Sequence, residues 1–135
     1  MYLLDSNAWI AHFRHKSAKL LAELKRRPHE DVVLCPVVLV ELWYGVYRSA
    51  ASHRAANQKL VEELRTRYAS VPLDDAAARD AAELKAHLAA NGNMIGPYDL
   101  LIAAIARSHR LTLVTHNQSE FSRVPGLVVE DWQGP

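Results

Sequence analysis

The chain has 135 residues, half of them hydrophobic and 23% charged, with a formal net charge of +1. That length suits one domain with a substantial core, and that balance excludes a disordered chain and a uniformly basic nucleic-acid-binding surface. A single cysteine, Cys35, excludes an intramolecular disulfide and a cysteine-rich zinc module.

The start, MYLLDSNAW, has no basic lead and does not read as a signal peptide. Tyr2-Leu3-Leu4 is a short apolar run closed by a polar cluster, which predicts a buried parallel strand. Asp5-Ser6-Asn7 opens a helix with Trp9, Ile10 and Phe13 at helical spacing, so Asp5 alone reads equally as a helix cap. Ser17 to Arg27 predicts an amphipathic helix with a Leu20, Leu21, Leu24 stripe, stopped by Pro28. Between His12 and Glu30 there are six Lys or Arg against two Glu, so positive charge is local. It serves either a solvated face or phosphate contacts.

Val32 to Cys35 predicts a second buried strand, and Pro36 suits the first turn of the next helix. That helix, Val37 to Tyr47, is apolar nearly all round and is expected to be buried. Glu41 is its only charge. A buried carboxylate needs a cation or a cleft, because desolvating it costs several kcal/mol. Trp43, Tyr44 and Tyr47 crowd the same helix and belong either to the core or to an interface.

Ser52 to Tyr68 predicts a long polar helix, and Ser70 to Leu73 a short strand or connector. Asp74 or Asp75 caps a helix over Ala76 to Ala90, which ends at a left-handed Asn91-Gly92. Pro97 starts another helix and puts Asp99 at its third position, where an acid also complements the free amides and dipole. Leu111 to Thr115 predicts a buried strand with a polar end, His116 to Phe121. A last strand is expected over Leu127 to Val129, with Gln133 to Pro135 as tail. No segment approaches the ~18 apolar residues of a membrane span, and a cytoplasmic setting is the expectation.

Alternating buried strands and helices imply one α/β domain over residues 1–135 with a mostly parallel sheet. In such sheets chemistry sits beyond the carboxyl ends of the strands, where Asp5, Asn117 and Glu120 fall, as does the opening of the helix that carries Glu41. Several carboxylates in one cleft repel unless a cation joins them. An all-oxygen donor set suits Mg²⁺ or Mn²⁺, and the reaction such an ion serves best is attack of water on a phosphodiester. No nucleophile elbow, phosphate loop or dinucleotide fingerprint is present. Asp5-Ser6-Asn7 is faintly similar to an aspartyl-phosphate phosphatase loop, but Asn7 stands where a second Asp is needed. A small metal-dependent phosphatase is the weaker alternative.

The segments YLLDSNAWI, PVVLVELWYG, GPYDLLIAAIA and LVTHNQSEFSRVPGLVVEDW, in that order, resemble the PIN domain, and more narrowly the VapC toxins of bacterial toxin–antitoxin pairs. The resemblance implies a three-layer α/β/α sandwich with a mostly parallel sheet of four to five strands. It implies a Mg²⁺-dependent endoribonuclease (Mn²⁺ substituting) that cuts structured RNA, often tRNA, and is silenced by a VapB antitoxin. It further implies a homodimer. Carried over by position, Asp5 and Asp99 are metal ligands, Glu41 holds metal or its water, and Glu120 stands where the family often has a shorter Asp. Ser6, Asn7, Thr115 and Asn117 match the supporting polar residues. Arg14, Lys16, Lys19, Arg26 and Arg27 are the candidate RNA contacts. A PIN-like module that binds RNA or protein without catalysis is the alternative from another class.

Overall fold

The computed structural model describes residues 1–134; Pro135, the end of the expected tail, lies outside them. Five short strands form one sheet: β1 (Tyr2–Leu4), β2 (Val32–Leu34), β3 (Ala69–Ser70), β4 (Thr112–Val114) and β5 (Val129–Glu130). Their order is β3-β2-β1-β4-β5 and every pairing is parallel. Seven helices connect them: α1 (Ser6–Phe13), α2 (Ala18–Arg26), α3 (Pro36–Tyr47), α4 (Ala51–Arg67), α5 (Asp75–Ala90), α6 (Pro97–Ser108) and the single turn α7 (Gln118–Phe121). Right-handed crossovers put helices on both faces of such a sheet, giving the expected three layers. The core runs through both interfaces: Leu3, Leu4, Trp9, Leu34, Ile105 and Leu113 are fully buried.

The chain leaves β1 toward β2 and β3, then returns to β4 on the other side of β1. Neighbouring strands that depart in opposite directions open a crevice at their carboxyl ends. Here that crevice lies beyond β1 and β4, directly above Leu4 and Val114, which are paired in register.

Several elements differ from expectation. The helix α3 is not buried all round. Val37, Val38, Leu42 and Val46 face the core, while Val40, Tyr44 and Tyr47 are 50%, 65% and 68% exposed. No element covers that outer stripe, so its apolarity is not core chemistry. Ala69 and Ser70 pair with β2, and the strand stops before Pro72, which has no N–H to offer the ladder. The last strand slides to Val129–Glu130, because the amides of Leu113 and Thr115 take the carbonyls of Val128 and Glu130. The polar stretch after β4 is one helical turn, not a strand end. Trp132 is buried, with its ring 5.1 Å from that of Tyr2. Gly92 takes the expected left-handed conformation, φ 65°.

The pair α5–α6 is held by a two-toothed ion pair. Arg107 donates from Nε to Asp80 Oδ2 (3.0 Å) and from Nη2 to Asp80 Oδ1 (2.9 Å), and a third bond runs from Nη1 to the Pro125 carbonyl at 3.0 Å. Asp80→Ala is expected to lower stability by about 1–3 kcal/mol, the usual scale for bonds to a charged group; urea unfolding reads it. No described helix is long and apolar enough to cross a membrane.

Candidate active site

Asp5 follows β1 directly and is 3% exposed. It serves as the cap of α1: Oδ1 accepts the Ala8 amide at 2.9 Å. Its other oxygen accepts the Thr115 hydroxyl at 2.5 Å, across the β1–β4 crevice. Thr115, equally buried, in turn accepts the Asn117 amide at 3.0 Å. The cap and ligand readings of Asp5 are therefore compatible, since each carboxylate oxygen keeps a second lone pair. Burial drives the Asp5 carboxyl upward, against the pull of Thr115 and Ala8; the Glu41 charge adds to the rise and His116 opposes it.

Asp99 occupies the third position of α6, where an acid would reach back to the cap residue's amide. It does not do so. The Gly96 amide donates instead to Glu120 Oε1 at 2.7 Å, from a turn of chain 24 residues away. Glu120 Oε2 accepts the Asn117 side-chain amide at 2.7 Å. Asp99 Oδ2 and Glu120 Oε1 both lie 3.7 Å from where a Cβ on Gly96 would stand, so the two acids converge over that glycine. Of the two, Glu120 is favoured as the anion and Asp99 disfavoured. Glu120 has two N–H donors that favour its anion, the Gly96 amide first, and its carboxyl is held below the usual range. Asp99 is pushed up to about 7, first by burial, then by the Glu120 charge and their shared hydrogen bond, then by Glu41 and Asp5.

Glu41 completes the set from α3. It is half-buried, and its Oε1 is buried with no hydrogen-bond partner among the described residues. Its charge acts on both Asp5 and Asp99. Of the two outcomes expected for it, a cation or a cleft, Glu41 takes the cleft: it lines a cavity, with no ion-pair partner among the described residues.

Asp5, Glu41 and Glu120 thus each come within electrostatic reach of Asp99, and Asp5 also of Glu41. Among the described residues, no three acid, His or Cys side chains stand close enough to hold an ion wholly between them. The orphaned Glu41 oxygen and a carboxyl forced up to about 7 are both relieved by one added positive charge.

The supporting residues divide. Thr115 and Asn117 bond into the cluster, and Ser6 is buried beside Asp5. Asn7 is exposed and bonds to none of the acids. The basic set divides too. Arg27 is not a free phosphate contact: its guanidinium lies 4.5 Å from the Tyr2 ring and 4.6 Å from the Trp132 ring, and it donates to Glu23 at 2.8 Å. Glu23 also takes Arg26 at 2.6 Å, on the surface. The Lys19 amine lies against Gly134. Arg14 and Lys16 are exposed, and Arg14 lines a cavity with Glu41.

Three features were not foreseen. The Gly96–Glu120 bond is one; the Asn117 and Glu120 spacing of three residues was its only trace. Arg123, whose charge acts on Glu120, is another. The third is His116, held through Nδ1 to Asp131 Oδ2 at 3.0 Å.

Thr115→Val keeps shape and removes the hydroxyl that orients Asp5. A loss of about 10–100-fold in apparent metal affinity is expected, as for other groups that position a ligand. Titrating activity against Mg²⁺ reads it.

Comparison with known proteins gives concordant matches. A family profile described as PIN domain matches residues 2–127. A protein named tRNA(fMet)-specific endonuclease VapC, from Salmonella typhimurium, is 34% identical over 131 residues, 97% of each chain. One of the same name from Shigella flexneri is 35% identical over the same share. Among solved structures, DNA-bound VapBC from Salmonella typhimurium superposes with a TM-score of 0.90 at 33% identity, covering 97% of both chains. VapBC2 from Rickettsia felis, bound to a promoter DNA fragment, gives 0.88 at 29% identity, covering 97% of this chain and 98% of the other.

Proposed function

This chain belongs to the PIN domain family, and from that premise we propose that it is the endoribonuclease toxin of a toxin–antitoxin pair, hydrolysing phosphodiester bonds in tRNA and acting in the cytoplasm. The observation that carries the reading is the set of acids at the β1–β4 crevice, with Asp99 pushed up to about 7 by burial and by Glu120, Glu41 and Asp5. A purely binding module has no comparable use for that set, and an aspartyl-phosphate phosphatase would need a second Asp where Asn7 stands.

Asp5 and Asp99 are the direct metal ligands of this reading, Glu41 bonds through water, and Glu120 acts on the front of α6. The ion is Mg²⁺, with Mn²⁺ able to replace it. When bound it supplies positive charge to the phosphate and to the attacking and departing oxygens. Thr115 and the Ala8 amide keep Asp5 turned to the crevice. Glu120 takes the Gly96 amide and so leaves Asp99 free for the ion. Ionised, Asp99 or Glu41 would orient a water for in-line attack on the phosphodiester.

The partner is a VapB-type antitoxin, by similarity to the VapBC complexes. A cavity of about 390 Å³ beside Glu41, floored by Ile10, Phe13, Leu42 and Val46 and rimmed by Arg14 and Arg48, suits an apolar segment of it. The outward stripe of α3 is the face offered to a second copy of the chain. The direct test is purified, antitoxin-free chain with total tRNA. Cutting is expected in Mg²⁺ and none in EDTA. RNA left intact at high protein concentration with Mg²⁺ and with Mn²⁺ overturns the reading.

A further inference from the structure

The basic residues of α1 and α2 leave the far side of the crevice without an RNA contact. That side is the segment before α6. It is pinned to the chain around α7 at two points: the Gly96 amide to Glu120, 2.7 Å, and Arg123 Nη1 to the Met94 carbonyl, 2.9 Å. Ile95, between them, is buried. On this fixed rim Tyr98 is 48% exposed and Met94 43% exposed. Tyr98 is the residue next to Asp99, one step round the first turn of α6. Arg123 is exposed, its charge reaches Glu120, and its Nε and Nη2 have no hydrogen-bond partner among the described residues.

An isolated exposed tyrosine means little. Here the tyrosine is one residue from Asp99, on backbone pinned by Glu120, and it shares that rim with a guanidinium with donors to spare. A planar π-face and a forked cation at one edge match the two halves of a nucleotide, its base and its phosphate. Neither half need pay for ordering the rim, because the bonds to Glu120 and Met94 have already ordered it. An uncharged peptide segment would leave the cation unanswered.

Resting on the nuclease reading above, we propose that Tyr98 and Arg123 seat the nucleotide flanking the cut bond, the base stacked on Tyr98 and its phosphate held by Arg123. The rim, with α7 behind it, then sets where the strand enters the crevice and which bond meets the acids.

The test first maps the bond that the wild-type chain cuts in total tRNA. A stem–loop containing it, with 2-aminopurine at the flanking position, is then titrated with protein in Ca²⁺, so that binding is read without turnover. Wild type and Tyr98→Phe are expected to quench the fluorescence alike. Tyr98→Ala is expected to lose the quench and about 10-fold or more in affinity, the usual scale for one base–aromatic stack. Arg123→Ala is expected to weaken binding and reduce the salt slope by about one. Melting temperatures confirm that each variant folds. If wild type cuts RNA and Tyr98→Ala matches it in quench, affinity and cut position, the inference is overturned, whatever the variant does to self-association. If wild type cuts in neither Mg²⁺ nor Mn²⁺, the nuclease reading fails and this inference with it, whereas cleavage with an unaltered Tyr98→Ala overturns the inference alone.

Discussion

Asp5→Asn is expected to lower metal-dependent RNA cleavage by at least about 10²–10³-fold, the scale on which a single electrostatic stabiliser of a reaction acts. The fold should survive. Asparagine is as good a helix cap as aspartate, and its carbonyl can still accept the Ala8 amide. The buried negative charge, however, is gone. Burial already disfavours that charge in the metal-free chain. The metal-free melting temperature of the variant should therefore equal or exceed that of wild type, while the stabilisation gained on adding Mg²⁺ shrinks. Asp99→Asn should behave alike, because it removes the carboxyl that the cluster most disfavours as an anion. Loss of activity together with loss of fold would point to the cap alone. Wild-type cleavage in Asp5→Asn would remove Asp5 from the chemistry.

The pH dependence follows from Asp99, with an opposite sign for stability and for metal binding. In the folded, metal-free chain its carboxyl titrates at about 7 against an ordinary value of 3.8. Between those two values the folded chain holds a proton that the unfolded chain has shed. Stability is then greatest at the acid end of this window and falls as pH rises through it. Metal must displace that proton, so apparent affinity should drop about tenfold per pH unit below about 7, and level off above it. The thermal shift produced by Mg²⁺ should accordingly be small at pH 5.5 and large at pH 8. Thermal melts with and without metal across that range read both effects. A metal-induced shift that is flat with pH would show that the ion does not meet Asp99.

Arg27 shows where composition misleads. It stands in the most basic stretch of the chain, yet two aromatic rings and Glu23 occupy it. The stretch Val37 to Tyr47 misleads in the other direction. Its apolarity predicts burial, but Tyr44 and Tyr47 lie outside the core. Hydrophobic residues on a helix report that something covers them, without saying whether it is the same chain.

The alternation of the main strands and helices, the opening turns at Pro36 and Pro97, a cap at Asp74 or Asp75 and the left-handed Gly92 were legible from the residues alone, because each depends on neighbours within a few positions. So was the candidacy of Asp5, Glu41 and Asp99, since an acid at the end of an apolar run is costly wherever it packs. What no local pattern could decide was whether Asp99 caps the front of α6 or is left free of it. The answer lies in a hydrogen bond across 24 residues: Glu120 takes the amide an acid at the third helical position would otherwise reach for. The same holds for Thr115 on Asp5, a contact 110 residues apart in sequence. Both are made by the β1–β4 pairing and the turn that follows it. Which donor meets which acceptor there depends on distance in space, and only the folded sheet sets that distance.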